Sequence, residues 1–564
     1  MQLPSIFNKR RTTIFTRLAF NGLAQAVATI ITVLLVRMAF DRLITTTAQA
    51  EQGLILKVGV GLCCTAVALG WLQVIERVDA ERMGQSYIHQ IRMLLFRHMS
   101  HLDPRTLQNR SRGGIVLRFI GDLNALKRWV SLGLVRIAVA GITTCCALLA
   151  MAAINWRLAI AVTTVFGLGA LYALNLGTRI RETSRESRRR RSYLAANVNE
   201  KVASMTVVQV FGQTVREKCR IKRQSKRLTN ALIDRAQKIG MIRGMTQTVA
   251  ALASGVVLLE GAREVGLGLT TPGTVVAAMT IIGLLVPALR DLSRVYEYWQ
   301  DSRVSVEKLI SFLETPSQTP PTKLPALKSG PGRLEFKDIC FGNLLRNITV
   351  TAAAGSNIVI VGPNGAGKST LISMAAKLVE ADEGTILLDG QDISDHSFGS
   401  IRRAISIVSP DLPLLRGSVR KNLLYRQPDA SAREIKKVWN LCGIDGLLKE
   451  LPQGEDTRVT EEGNNLSLGQ RQKISLARAF LGSPRILLLD EADAHLDVEA
   501  GMVLNRILQE YKGTILRVTH NPDLLAQADT VWRIEKGHLT IIDNNLNQEQ
   551  QLTKEMEYRN VSNS

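Results

Sequence analysis

Apolar residues are gathered into blocks along this chain. In its first half they form runs long enough to fill the hydrocarbon core of a bilayer, about 30 Å thick, which takes about 20 mostly apolar residues in a helix. Six runs meet or approach that length: Leu18–Phe40, Leu54–Ile75, Leu134–Ile154, Leu158–Gly177, Met241–Gly261 and Val275–Leu289. The fifth and sixth are the weakest, being short or diluted by Gly and Thr. Two of the connections between runs are long, and they are poor in Pro and Gly over most of their length. They keep a helical period in stretches such as Tyr193–Phe211. Folded back as a helical hairpin at 1.5 Å per residue, each predicts an extension reaching about 40 Å from the membrane.

The pattern changes after Thr315–Gly332 (TPSQTPPTKLPALKSGPG), a Pro-rich polar stretch of the kind that separates domains. Short β-rich runs then alternate with helical patterns: Leu334–Phe336, Asn357–Val361, Thr385–Leu388, Ile405–Val408, Ile486–Leu489 and Ile515–Val518. That alternation predicts an α/β domain with a largely parallel sheet. Asp543–Ser564 is rich in Asn, Gln and Glu and reads as a disordered tail. The expected organisation is multidomain. An all-α six-helix transmembrane domain with long helical extensions is expected over 1–314, a linker over 315–332, an α/β domain over 333–542, and a tail over 543–564.

Charge orients these parts. The 564 residues carry a net charge of +22, and from residue 333 onward there are 27 Lys+Arg against 30 Asp+Glu, which leaves 44 against 19 upstream. Such an excess can mark a nucleic-acid binder, but here it sits between apolar runs, where a membrane protein retains basic residues on its cytoplasmic side. No nucleic-acid partner is expected. The connection 76–133 holds 10 basic and 5 acidic residues, and 178–240 holds 17 and 5, including Arg188-Arg189-Arg190-Arg191. The positive-inside rule places the N-terminus, both long connections and everything after Leu289 in the cytoplasm, where ATP is. The basic start Lys9, Arg10, Arg11 and Arg17 leads into a run too long for a signal peptide, so the first span is read as retained. Four of the seven cysteines form two adjacent pairs, Cys63-Cys64 and Cys145-Cys146, inside apolar runs and without metal spacing.

Three motifs carry chemistry. Gly362-Pro363-Asn364-Gly365-Ala366-Gly367-Lys368-Ser369-Thr370 lies between a buried strand, Ile358–Val361, and a helical pattern. This is the setting in which backbone N–H groups close around phosphate oxygens, Lys368 reaches the β- and γ-phosphates and the Ser369 hydroxyl reaches Mg²⁺. Ile486–Leu489 is a second buried strand, and it ends in Asp490-Glu491. Successive side chains there point in different directions, so Asp490 suits the metal and Glu491 the attacking water, as general base. Asn465-Leu-Ser-Leu-Gly-Gln-Arg-Gln472 precedes a helical run, and Ser467 with the Gly469 backbone makes a further anion site at a helix N-terminus. One nucleotide has no need of two separate cradles.

Taken together in this order and spacing, the phosphate loop, LSLGQRQ with Gln470, LLLDE, Ala494-His495-Leu496-Asp497 and Val518-Thr519-His520 resemble the nucleotide-binding domain of an ATP-binding-cassette (ABC) transporter. The upstream half is similar to the exporter branch of that family in its six spans, Gly113-Gly114 with Asp122, Asn199-Glu200 to Phe211-Gly212, and Leu269-Thr270 through Phe312-Leu313. The resemblance implies ATP and Mg²⁺ as cofactors, His520 at the γ-phosphate and Asp497 linking two sites. It also implies a head-to-tail dimer, homo- or heterodimeric, in which Ser467 of one subunit closes on the ATP of the other. Bends in the two long connections would couple cassette closure to movement of the spans. The expected protein is an ATP hydrolase in a bacterial inner membrane, exporting a substrate that the sequence does not identify, with lipid as its surroundings.

Three positions depart from the family pattern, one of them Leu468, which stands for a usual Gly in the Ser-Gly segment, a change the family tolerates elsewhere. Where a Gln usually reaches Mg²⁺ and water, after Ile405–Val408, this chain has Pro410. Where an aromatic usually stacks on adenine, it has Asn343. Both leave open an alternative, a weakly or non-hydrolysing half that gates a more active partner. Among ionisable residues within or near the spans, Lys57, Glu260, Arg263 and Arg290 read as snorkelling or paired groups, while Arg37 and Arg136 are candidates for contact with an anionic or amphipathic substrate.

Overall fold

The structure is a computed structural model, and it describes residues 3–44, 52–103, 106–107, 112–317, 324–493, 498–519 and 522–543. The chain divides into two units, Met1–Ser317 and Gln318–Ser564. The tail expected over 543–564 lies outside the described residues except for Asp543.

Six long helices build the first unit: α1 (Lys9–Ala39), α2 (Gln52–Met99), α3 (Val135–Ile154), α4 (Trp156–Ala203), α5 (Thr214–Gly266) and α6 (Pro272–Leu313). Each expected apolar run falls in or largely in one of them. Four described helical stretches are long and apolar enough to cross a membrane: Lys9–Arg42, Ile55–Met99, Gly114–Ile154 and Thr214–Gly266. The apolar portions of α4 and α6, Trp156–Gly169 and Pro272–Pro287, are shorter. The polar connections are helical, as their composition predicts. The α4 and α5 helices run past their apolar parts as a packed pair and are joined by a short helix, Met205–Val210, and a turn at Gly212 with φ 63°. The segment 112–134 departs from one continuous helix, because π-helical turns at Arg118–Asp122 and Trp129–Leu134 interrupt it.

Polar groups tie the ends of these helices. Asp41 follows α1, and its carboxylate accepts from Gly273 N (2.9 Å) and Thr271 Oγ1 (3.1 Å) at the start of α6 while pairing with Arg37 (3.5 Å). Thr271 and Pro272 start α6 by side-chain capping and a preset φ. Between α3 and α4, Asn155 accepts from Arg157 N and Leu158 N and donates to buried Glu264 of α5, which also pairs with Arg157 at 3.6 Å. Arg37 therefore has a structural partner in Asp41.

The second unit holds two main sheets. Strands β1 (Leu334–Phe341), β2 (Leu345–Ala352), β4 (Glu383–Leu388) and β5 (Gln391–Asp392) form an antiparallel sheet in the order β2-β1-β4-β5. The larger sheet has the order β10-β9-β3-β8-β7-β6, where β3 is Asn357–Val361, β6 Ile405–Val408, β7 Ile486–Asp490, β8 Thr514–Val518, β9 Thr530–Glu535 and β10 His538–Asp543. It is parallel except for the β9–β10 hairpin. The runs pointed to the parallel core, because β7 and β8 are buried at every residue and so read as continuous apolar segments. The antiparallel sheet was less legible: β2 alternates buried and exposed residues, so its apolar content is halved. Trp532 of β9 is fully buried, edge-on to Phe336 of β1 at 6.1 Å, and packs one sheet against the other.

Candidate functional site

The site grows from the end of β3. Its four apolar residues fix the strand in the sheet centre, and the chain then turns through Gly362 (φ 151°), Gly365 (φ 81°) and Gly367 (φ 104°) into α7, Lys368–Ala375. Gly362 and Gly367 are needed for space as well as for φ. A Cβ on Gly362 would collide with the Ile534 carbonyl, and one on Gly367 would lie 2.9 Å from Leu345 Cδ2. Pro363, Asn364 and Gly365 stay at the mouth of the loop, Ala366 N donates to Pro363 O at 3.1 Å, and Thr370 is buried beneath the first turn. The opening N–H groups of α7 have no partner within their own helix.

Lys368 is 5% exposed, and its ammonium donates to Gly362 O (2.7 Å) and Pro363 O (3.1 Å), the loop's own carbonyls. Burial lowers its pKa from the ordinary lysine value, and Glu491 and Asp490 push it back up. Ser369 Oγ donates to Asp490 Oδ1 at 2.9 Å. Parallel pairing of β7 between β6 and β8 carries Asp490 to that point. Burial raises the Asp490 pKa above the usual aspartate range, Glu491 and Asp411 add to the rise, and the Ser369 hydroxyl and the Lys368 charge oppose it. A dication between Ser369 Oγ and the Asp490 carboxylate would relieve that desolvation, so these two oxygens fit Mg²⁺.

Glu491 is exposed and takes φ 50°, a left-handed conformation rare for a non-glycine, while its N–H donates to Val518 O at 3.1 Å. The backbone turns sharply between a buried and an exposed carboxylate, which aims them apart. Ser467 caps α8 (Leu468–Phe480) through a reciprocal pair: Gln470 N donates to Ser467 Oγ at 3.2 Å, and Ser467 N donates to Gln470 Oε1 at 3.1 Å. Gly469 is in the first turn of that helix, and Ser467 and Leu468 are exposed. Asp497 and His520 lie outside the described residues.

Three contributors escape a reading of the sequence alone. Asp411 acts on Asp490 through charge, and it follows β6, whose Val408 pairs with Leu489 in the strand that ends in Asp490. Gln472 of α8 donates to Ala492 O and so links the α8 helix to the carboxylate turn. Thr519 donates to Asp493 just beyond it. Gln472 and Thr519 belong to motifs read in the sequence, though their bonds do not follow from it, and Asp411 becomes a neighbour through sheet register. Asn343 lies in the β1–β2 turn, whose next residues, Leu344 and Leu345, press against Gly367. The turn therefore sits over the loop, with Asn343 in it.

Comparison with known proteins agrees with this geometry. The family model described as ABC transporter transmembrane region matches residues 14–289, and that described as ABC transporter matches residues 345–494. The ATP-dependent lipid A-core flippase of Desulfotalea psychrophila is 27% identical over 480 residues, 83% of each chain. A putative multidrug export ATP-binding/permease protein of Staphylococcus aureus is 26% identical over 527 residues, 90% of each. A fatty acid ABC transporter ATP-binding/permease protein of Mycobacterium tuberculosis is 28% identical over 435 residues, 76% of this chain and 69% of that one. The solved structure of a bacterial Atm1-family ABC exporter with ATP bound has the same fold, with a TM-score of 0.85, 23% identity and 98% of each chain covered.

Proposed function

The chain belongs to the ABC transporter family, and from that premise we propose that it exports its substrate across a bacterial inner membrane as a dimer, with six spans per chain and the cassette in the cytoplasm. It is an integral membrane exporter half-transporter whose ATPase is coupled to transport. The observation that carries hydrolysis is the convergence of Lys368, Ser369, Asp490 and Glu491 at the ends of β3 and β7.

In this reading the α7 N-terminus and the loop N–H groups hold the phosphates of ATP, and Lys368 leaves the Gly362 and Pro363 carbonyls to meet the β- and γ-oxygens. Ser369 and Asp490 would hold Mg²⁺, which would supply charge neutralisation on the phosphates. Glu491 takes a proton from the attacking water. Ser467, Gly469 and Gln470 serve the nucleotide of the other subunit, and His520 and Asp497 complete the site and join its two copies. The alternative of a half that binds ATP without hydrolysing it draws no support from the comparisons, and the buried and exposed carboxylates it would leave unused are both in place. Lys368→Ala tests the assignment. It weakens ATP binding about 30-fold, the equivalent of about 2 kcal/mol for a lost charge-assisted contact, read by titration of the purified protein in nanodiscs. Unchanged affinity would remove Lys368 from the site.

Pro410 sets the speed in this reading. It offers no side-chain donor or acceptor, and the neighbouring Asp411 adds negative charge toward Asp490 in place of an amide. Pro410→Gln raises steady-state phosphate release by about tenfold, the rate equivalent of one well-placed hydrogen bond. A rate equal to wild type would show that the water is already held by other groups.

A further inference from the structure

The Arg188–Arg191 run leads away from the ATP site. Within the first unit a cavity of about 330 Å³ opens where four elements meet, and its wall is built mainly from guanidinium groups. The short helix Leu123–Arg128 ends in one, Arg128. The α4 helix contributes Arg188 and Arg191, α5 contributes Arg235 and Arg243, and α6 contributes Arg294. Among the described residues two carboxylates line it, both from α6: Asp301 pairs with Arg188 and Glu297 with Arg235. Six arginines face two acids there, so the wall carries an excess of positive charge.

The positive-inside rule explains why these arginines lie on this side of the spans. It does not explain their convergence. Residues far apart in sequence, on helices that each have a solvent-facing side, are turned toward one concavity, where like charges repel. Among the described residues no carboxylate pairs with Arg128, Arg191 or Arg243. The Nε of Arg235 is shut off from water with no acceptor among those residues. A buried donor without an acceptor is costly, so the site calls for an anion that brings oxygens with it.

We propose that this arginine cavity binds a ligand bearing phosphate groups. A phosphate monoester carries about −1.5 to −2 charge and three acceptor oxygens, so such groups offset the excess, and the planar arginine fork matches their geometry in bidentate fashion. The volume is at the lower end of the range for small-ligand sites, about 300–1,000 Å³, and accommodates a head group. The contributing residues lie on the basic side of the apolar stretches, Arg235 and Arg294 within about two turns of one and Arg188 and Arg191 about three to four turns beyond Gly177, on the side where a membrane exporter meets both lipid head groups and soluble phosphorylated compounds. As a substrate contact this rests on the export reading, but binding is measurable without transport.

The experiment uses the purified dimer in phosphatidylcholine nanodiscs, with the cassettes saturated by a non-hydrolysable ATP analogue so that the phosphate loop takes up no probe. Inorganic pyrophosphate is titrated calorimetrically, and phosphatidic acid is titrated into a parallel set of discs. At least one probe binds saturably, and Arg191→Ala with Arg243→Ala weakens it about tenfold or more, while the Arg→Lys pair retains part of the affinity. A response to phosphatidic acid alone assigns the lipid phosphate, and a response to pyrophosphate assigns a soluble one. Saturable binding of neither, or binding indifferent to the alanine pair, overturns the proposal. Unchanged affinity for the ATP analogue shows that the variants are folded, and the size-conserving Arg191→Gln and Arg243→Gln pair replaces any that is not. Failure of the export reading shows elsewhere, as an absence of ATP-driven movement with these arginines intact.

Discussion

Glu491→Gln lowers phosphate release by about 10²–10⁴-fold, the usual range for removing a general base, and leaves ATP binding intact. The substitution keeps the size of the side chain and its place one residue beyond Asp490, and it removes only the ability to accept a proton. Binding survives because the residues that grip phosphate are elsewhere: Lys368 and the N–H groups of the loop lie at the end of β3, and the Ser369–Asp490 pair is untouched. The backbone supports this separation of roles. Glu491 holds φ 50° and is kept there by its N–H on Val518 O, a conformation costing on the order of 1–3 kcal/mol that persists only where the surroundings impose it. That turn aims Glu491 away from Asp490, which suits the two proposed roles, one carboxylate at the metal and the other at the water. The check is a pair of measurements on one preparation, single-turnover phosphate release and equilibrium binding of ATP. A variant that releases phosphate at the wild-type rate would falsify the assignment, and one that loses binding as well would make Glu491 a binding residue.

Legibility in the sequence followed the range of the interaction. The phosphate loop could be read because every one of its demands is local: a strand of four apolar residues, glycines where φ is positive, a lysine and a serine at fixed spacing. Ser467 and Gln470 could be read for the same reason, since a capping box spans a single turn. Apolar runs located the long helices, but they said nothing of the π-helical turns between 118 and 134. Asp41 looks like an ordinary loop acid, and only the fold brings it to Thr271 and Gly273. Arg37 reads as a substrate contact for as long as that partner is out of sight, whereas Arg136 does line a polar cavity with Gln25, Glu76 and Arg77. The arginine cavity is invisible for the most physical of these reasons. Its members come from four elements, and nothing in the run Arg188–Arg191 says that Arg188 and Arg191 face Arg235 and Arg294 while Arg189 stacks on Tyr193.

Two variants that are each inactive regain turnover when they are assembled into one dimer. Lys368→Ala disables the phosphate loop of its own chain, and Ser467→Arg disables the cradle at the start of α8. Ser467 is exposed, and its side chain and its N–H are engaged with Gln470 of the same helix, so an arginine there costs about 1 kcal/mol of capping without entering the core. In a dimer of either variant with itself, both composite sites contain one damaged half. In the mixed dimer the damage falls together: one site sets the alanine-substituted loop against the arginine-substituted cradle and is lost twice, while the other holds an intact Lys368 against an intact Ser467. Purified through two different tags, that mixed dimer hydrolyses ATP at roughly half the wild-type rate where the two sites act independently, and at less where they are coupled. The comparison separates two geometries that a single variant leaves indistinguishable. A Ser467 that served the loop of its own chain would leave one site intact in no combination, because each chain would carry its own lesion, and the mixed dimer would be as inactive as its parents. Recovery therefore requires that each pocket take its loop from one chain and its serine from the other, and its absence in a dimer shown to contain both tags would dismantle the shared-site reading.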